Sequence, residues 1–243
     1  MTWVNRLKLL TGLIGVVGLV AVLTVVFNQR QAQVSSVSAS IQAAQYPVGT
    51  DYGGIVIDRL VDEGDTVTAG QDLFTVQSPT LQADLAEGLV SLENVAYSVG
   101  PDGMLTLTAS VDGTVTGIKT ERGSFVQAGQ VLATVDRGGS LFVSAQFVLT
   151  STDYARVEEG ADVDIVLPNQ ARVSGTLESM EVSTVDGQAE TTARVTSTGL
   201  ADGDFNGLVA PGAPVSATLA LRDDGPLAGV SDGVFGFLRS IGL

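Results

Sequence analysis

A stretch of 23 residues occurs twice in this chain, without gaps and at a constant offset of 59 positions: Gly54 to Val76 can be laid on Gly113 to Val135. Ten positions are identical, namely Gly54/Gly113, Val56/Val115, Gly64/Gly123, Val67/Val126, Ala69/Ala128, Gly70/Gly129, Gln71/Gln130, Leu73/Leu132, Thr75/Thr134 and Val76/Val135. Each copy holds too few apolar residues to enclose a core, so it must pack on a neighbour to be stable. Gly64 and Gly123 stand where the chain reverses, and Gly70 and Gly129 mark a second bend six residues later. Glycine suits such places because positive φ costs it nothing. The apolar residues between the glycines give each short strand one buried face, and the pattern predicts two copies packed face to face as a small β-sandwich. Gly54, Gly64, Gly70, Gly113, Gly123 and Gly129 are expected to be structural turn glycines.

The segment Val61 to Leu73, V-x-x-G-D-x-V-x-x-G-Q-x-L, resembles the half-motif of biotinyl/lipoyl domains. It is still more similar to the split lipoyl-like domain of HlyD-type membrane fusion proteins, the periplasmic adaptor subunits of export pumps. Leu105 to Val115 resembles the strand that leads into the second half in that family. Carrier domains modify a lysine at the tip between the halves. Here Lys8 and Lys119 are the only lysines, and Lys119 aligns with Leu60, inside the second copy. A swinging cofactor arm has no support, and no cofactor is expected.

In the fusion proteins an α-helical hairpin separates the halves, and Pro79 to Met104 fills that place. Thr80 to Ala96 can begin a helix, with Leu81, Leu85, Leu89 and Leu92 on one side, but Gly88 interrupts it at a cost of ~1 kcal/mol relative to Ala. Gly100-Pro101-Asp102-Gly103 then turns the chain into the next strand and leaves no room for a returning helix. A stunted hairpin is expected, suited to a short adaptor in a one-membrane envelope.

Leu9 to Phe27 is a run of nineteen residues without a charge. As a helix it would span ~28 Å, close to the hydrocarbon core of a bilayer. Arg6 and Lys8 precede it, so the positive-inside rule predicts a single-pass anchor with a cytoplasmic N-terminus and an extracytoplasmic body. Val37-Ser38-Ala39 vaguely matches a signal cleavage site, but the apolar run exceeds the ~7 to 15 residues of a signal core. The expected organisation is a cytoplasmic stub at 1–8, a transmembrane helix at 9–27 and a linker at 28–51 that can carry a strand through Val34, Val37, Ala39 and Ile41. A lipoyl-like sandwich follows at 52–138 with its insert at 79–104, then a β-barrel at 139–222 and an apolar tail at 223–243. Within the barrel segment, strands are predicted at Leu141 to Val148, Val163 to Leu167, Ala171 to Val182, Thr191 to Thr198 and Val215 to Leu221, with a helical turn at Ser151 to Val157. The fold class is therefore mainly β behind one N-terminal span.

Net charge is −15, and Arg6, Lys8 and Arg30 are the only charges before Gln31, which leaves −18 for the rest. Nucleic acid is excluded as a partner, because phosphate binding rests on clustered Lys and Arg. The chain has no Cys and no His. Ser-His and Cys-His nucleophilic pairs and zinc sites built on those residues are thereby ruled out, and no catalytic or metal-ligating residue is expected. The resemblance implies a non-enzymatic, membrane-anchored adaptor of a bacterial exporter, self-associated over an inner-membrane transporter of ABC or similar type and in contact with the bilayer. The alternative from residues alone is a membrane-tethered envelope binding protein coupled to no pump.

Overall fold

The computed structural model describes residues 12, 13, 16, 20, 32–89, 98–100, 102–185 and 188–222. It divides into two compact units, one formed by Ala43–Leu141 and the other by chain on both sides of it.

The central unit is the duplicated sandwich. The first copy supplies β4 (Gly54–Arg59), β5 (Thr66–Val67) and β6 (Asp72–Gln77); the second supplies β9 (Gly113–Thr116), β10 (Phe125–Val126) and β11 (Val131–Arg137). Each copy is flanked by one further strand, β3 (Gln45–Gly49) and β8 (Met104–Thr108). A short β7 (Ser98–Val99) lies beyond β8. The two sheets run β10-β4-β6-β8-β7 and β3-β11-β9-β5. The short strand of each copy thus leaves its own sheet and pairs with the first strand of the other: β10 with β4, and β5 with β9. Neither copy can complete its sheet alone.

Backbone hydrogen bonds repeat across the pseudo-twofold. Gly64 N–H donates to the Val115 carbonyl at 2.9 Å, and Gly123 N–H donates to the Val56 carbonyl at 2.7 Å. Gly70 donates to Ala109 and Gly129 to Thr50, both at 2.7 Å. The offset of 59 also relates β3 to β8, which share no identical residue, so the structural repeat is longer than the one visible in sequence. Between the sheets, Val56, Val67, Leu73, Val76, Val115, Val126, Leu132 and Val135 belong to one buried cluster. Six of these eight come from the identical pairs at 56/115, 67/126 and 76/135, and Leu73/Leu132 completes the set.

The second unit is a seven-stranded antiparallel sheet made of β1 (Gln33–Ser35), β2 (Ser38–Gln42), β12 (Phe142–Leu149), β13 (Asp162–Val166), β14 (Arg172–Val185), β15 (Gln188–Thr196) and β16 (Ser216–Ala220). Its order is β1-β16-β13-β14-β15-β12-β2. Because β1 and β2 are consecutive, pairing β1 with β16 and β2 with β12 brings the two ends of the sheet together and closes it as a barrel. Ile41 N–H donates to the Ala213 carbonyl and Gly212 N–H to the Ile41 carbonyl, fastening the seam. Strict alternation builds the interior: Val143, Ala145, Phe147 and Leu149 of β12 point inward with Val163, Ile165, Ala193, Val195, Ala217 and Leu219.

Several expectations are revised. The linker placed at 28–51 is strand through most of its described part: β1 and β2 close the barrel, and β3 pairs with β11 in the sandwich. The strand read through Val34, Val37, Ala39 and Ile41 is present as two, β1 and β2, and Ile41 is the single large inward residue of β2. The helix expected from Thr80 is α1 (Pro79–Ala86), capped by Ser78, and it stops before Gly88, which has φ 68°. Leu81 is buried and Leu85 packs on the core, whereas Leu89 is exposed and Leu92 lies outside the described residues. The helical turn is α2 (Ser151–Tyr154), and the barrel strands fall close to their predicted places. Of the apolar run Leu9–Phe27, the described residues Gly12, Leu13, Val16 and Val20 are helical. Among the described residues no helix is long and apolar enough to cross a membrane. The tail 223–243 lies outside the described residues.

Candidate functional site

The six singled-out glycines fall into two groups. Gly64, Gly70, Gly123 and Gly129 have φ of 95°, 83°, 83° and 80°, with open space where a Cβ would stand. Gly54 and Gly113 are not turn residues. Each is the first residue of a strand, and a Cβ there would run into a backbone carbonyl of the neighbouring strand, that of Gln77 for Gly54 and that of Asp136 for Gly113. Gln77 and Asp136 are themselves 59 apart, so the same close approach is built twice.

The insert between the halves closes on Ser78 and Gly53, which sequence reasoning passed over, and on Gly103, expected there only as part of a turn. Ser78 is fully buried; its hydroxyl donates to the Gly53 carbonyl at 2.7 Å and accepts from Leu81 N–H at 3.3 Å. Its own N–H donates to the Gly103 carbonyl at 2.9 Å, which joins the two ends of the insert. Gly103, at φ 72°, lies so close that a Cβ would stand 2.6 Å from the Ser78 carbonyl oxygen. The only sequence signal for this arrangement was Ser78-Pro79, a capping residue before Pro at the first helical position. Lys119 is exposed in the loop after β9, at the place taken by Leu60 in the first copy, and its N–H donates to Leu132 as Leu60 N–H does to Leu73. It is therefore part of the sandwich frame and lies away from the junction of the halves.

The pseudo-symmetry also isolates one mismatch. Val61 and Thr120 occupy equivalent buried positions, and the Thr120 hydroxyl has no hydrogen-bond partner. A desolvated hydroxyl costs stability that an isosteric methyl does not. Thr120→Val is expected to stabilise the sandwich by about 1 kcal/mol, read as a higher urea midpoint with an unchanged slope; an unchanged or lower midpoint would show that the hydroxyl is satisfied in solution.

On the barrel unit two open grooves have acidic lips. One, of about 360 Å³, is lined by Gln146, Val148, Glu181, Ser183, Glu190 and Thr192; the other, of about 500 Å³, includes Tyr154, Glu158, Glu159 and Glu178. Both are open to solvent, and among the described residues no group of three or more His, Cys, Asp or Glu is placed to hold a metal ion. What the arrangement offers is shape and surface: an interlocked sandwich, a short insert tied at its base, and a closed barrel.

Residues 45–136 match the family model described as the barrel-sandwich hybrid domain of RND membrane fusion proteins. No curated protein matches the chain significantly. Among solved structures, ZneB from Cupriavidus metallidurans superposes with a TM-score of 0.55 at 16% identity, covering 78% of this chain and 98% of that one. MacA from Actinobacillus actinomycetemcomitans gives 0.56 at 14% identity, with 78% of each chain covered. A membrane fusion protein from Streptococcus pneumoniae R6 gives 0.52 at 16%, covering 79% of this chain and 99% of that one. At such identities these likenesses show a shared fold.

Proposed function

Because the chain belongs to the membrane fusion proteins, with their barrel-sandwich hybrid domain at residues 45–136, we propose that it is the non-enzymatic adaptor subunit of a bacterial exporter. The observation that carries this reading is the interlocked sandwich whose halves are separated by an insert tied at Ser78 and Gly103, with no lysine in the insert to modify. The strand exchange makes a rigid block from a duplicated motif. In this role the protein contributes geometry alone, holding or directing substrate on the extracytoplasmic side of the membrane.

The run Leu9–Phe27 is the anchor in this proposal, with Arg6 and Lys8 keeping the N-terminus in the cytoplasm. An inner-membrane transporter, of ABC or similar type, supplies the energy, and several copies of the chain assemble over it. Even if the 26 residues from Ser78 to Gly103 were split evenly into two helical arms, each would rise only ~20 Å. Such an insert suits an adaptor that stays near one membrane.

Affinity purification of the full chain from membranes in mild detergent tests the proposal. A transporter is expected to co-purify in a particle several times the mass of one chain. Recovery of a lone monomer, with no integral membrane partner at stoichiometric yield, would remove the adaptor role.

A further inference from the structure

In the barrel, β14 runs on past the end of its neighbour β13. The two strands pair only from Arg172 to Thr176, and Leu177 N–H adds one bond to the Ala161 carbonyl at 2.9 Å. From Ser179 to Val185 β14 pairs with β15 alone, so among the described residues its other edge presents backbone groups without a strand partner. Residues directly opposite each other in an antiparallel pair share a face. Met180 lies opposite Ala193 and Val182 opposite Thr191, and both partners are buried on the inner side of the barrel. Met180 is nevertheless only half-buried and Val182 is 39% exposed, whereas Leu177, further back on the inner side of the same strand, is 6% exposed. The inner face of β14 emerges uncovered where the edge opens. The groove of about 500 Å³ lies there, lined by Tyr154 and Val157 as well as by Leu177 and Met180.

The C-terminal tail leaves the barrel at this groove. Arg222 N–H donates to the Arg156 carbonyl at 2.9 Å, and the Arg156 guanidinium donates back to the Arg222 carbonyl at 2.9 Å. Arg222 also reaches Glu158, a residue of the groove, at 3.8 Å. The 21 residues at 223–243 reach ~70 Å when extended, and the open edge of β14 is only ~23 Å long. Their composition suits a strand better than a helix. Gly229, Gly233, Gly236 and Gly242 would each cost a helix ~1 kcal/mol relative to Ala. At strand spacing Phe235, Phe237 and Ile241 fall on one face, with Gly236, Ser240 and Gly242 on the other. Charge agrees: Glu158, Glu159 and Glu178 border the groove, and Arg239 is the only charge in 233–243. Arg222 and Arg194 already meet Glu158 and Glu178, which leaves Glu159 for Arg239.

We infer that residues 234–241 of this same chain lie along the open edge of β14 as an added strand, with Phe235 and Phe237 over Met180 and Val182. Scattered exposed apolar side chains are ordinary on soluble proteins. Here they coincide with an unpaired strand edge and with the exit of an apolar segment. Because the tail is tethered beside the groove, docking is intramolecular, and modest contacts suffice to hold it.

The chain has no cysteine, so introduced pairs report cleanly. Full-length Met180→Cys with Phe237→Cys is treated in mild detergent with a short thiol-to-thiol cross-linker. Thr198→Cys with Phe237→Cys is the control, since Thr198 lies beyond the other end of β15. The first pair is expected to give an internal link at the mass of one chain, located by peptide mapping, with a yield about tenfold above the control. Amide hydrogen exchange gives a second reading. Phe235→Asp combined with Phe237→Asp is expected to speed exchange in 179–182 about tenfold and to leave the sandwich core unchanged. Equal linking of the control pair, linkage only between chains or to a different protein, protection of 234–241 only when lipid vesicles are added, or unchanged exchange in 179–182 would overturn the inference.

Discussion

Gly54→Val and Gly113→Val are expected to abolish folding of the sandwich. At each site a Cβ meets a carbonyl oxygen of the adjacent strand, and Val76 or Val135 crowds the same point with a Cγ1 about 3 Å away. Backbone cannot swing aside as a side chain can, so β4 must separate from β6, or β9 from β11, along registers that carry Val56, Val76, Val115 and Val135 into the core. The loss should exceed ~4 kcal/mol, the range reached when packing and backbone pairing fail together. Gly64→Val is the informative contrast. Its φ of 95° strains any side chain, but space is open, so a cost of about 1 to 3 kcal/mol and a folded protein with a lower midpoint are expected. Urea denaturation followed by circular dichroism distinguishes the two classes; equal, mild effects at Gly54 and Gly64 would contradict the close approach.

A chain that begins at Ala43 is expected to lose the barrel and keep the sandwich. It lacks β1 and β2, so β16 loses its pairing with β1, β12 loses β2, and the core loses fully buried Ile41. Removing one large buried side chain costs about 2 to 5 kcal/mol, and here an entire seam of backbone hydrogen bonds goes with it. That approaches the whole stability of a small domain, about 5 to 15 kcal/mol. Both sheets of the sandwich and its core cluster come from within Ala43–Leu141, so they persist. Limited proteolysis with mass readout should return a resistant fragment near 43–141, with 142–222 digested. Resistance of both segments would show that the seam contributes little.

These two outcomes separate what could be read from residues and what could not. The duplication, the four positive-φ turns, the end of the helix before Gly88 and the strands of the barrel follow from spacing, because each depends on local backbone preference or on alternation within one strand. The turn role given to Gly54 and Gly113 did not survive, because their constraint comes from a strand that is adjacent only after pairing. Ser78 and Gly53 were missed for a similar reason: 25 residues separate Gly53 from Ser78 and the hydrogen bond between them leaves no local pattern.

By itself the sequence determined that this chain is built from an internal pair of glycine-punctuated β motifs, too small to stand singly, in an acidic protein without Cys or His. Only the tertiary structure decided that the copies exchange their short strands, that residues 33–42 close a barrel whose other strands begin a hundred positions later, and that β14 runs past β13 and leaves an open edge. The physical reason is register. A strand's own residues specify which face it buries, but the partner it pairs with, and so the row its outward side chains join, is settled by contacts between segments far apart in the chain.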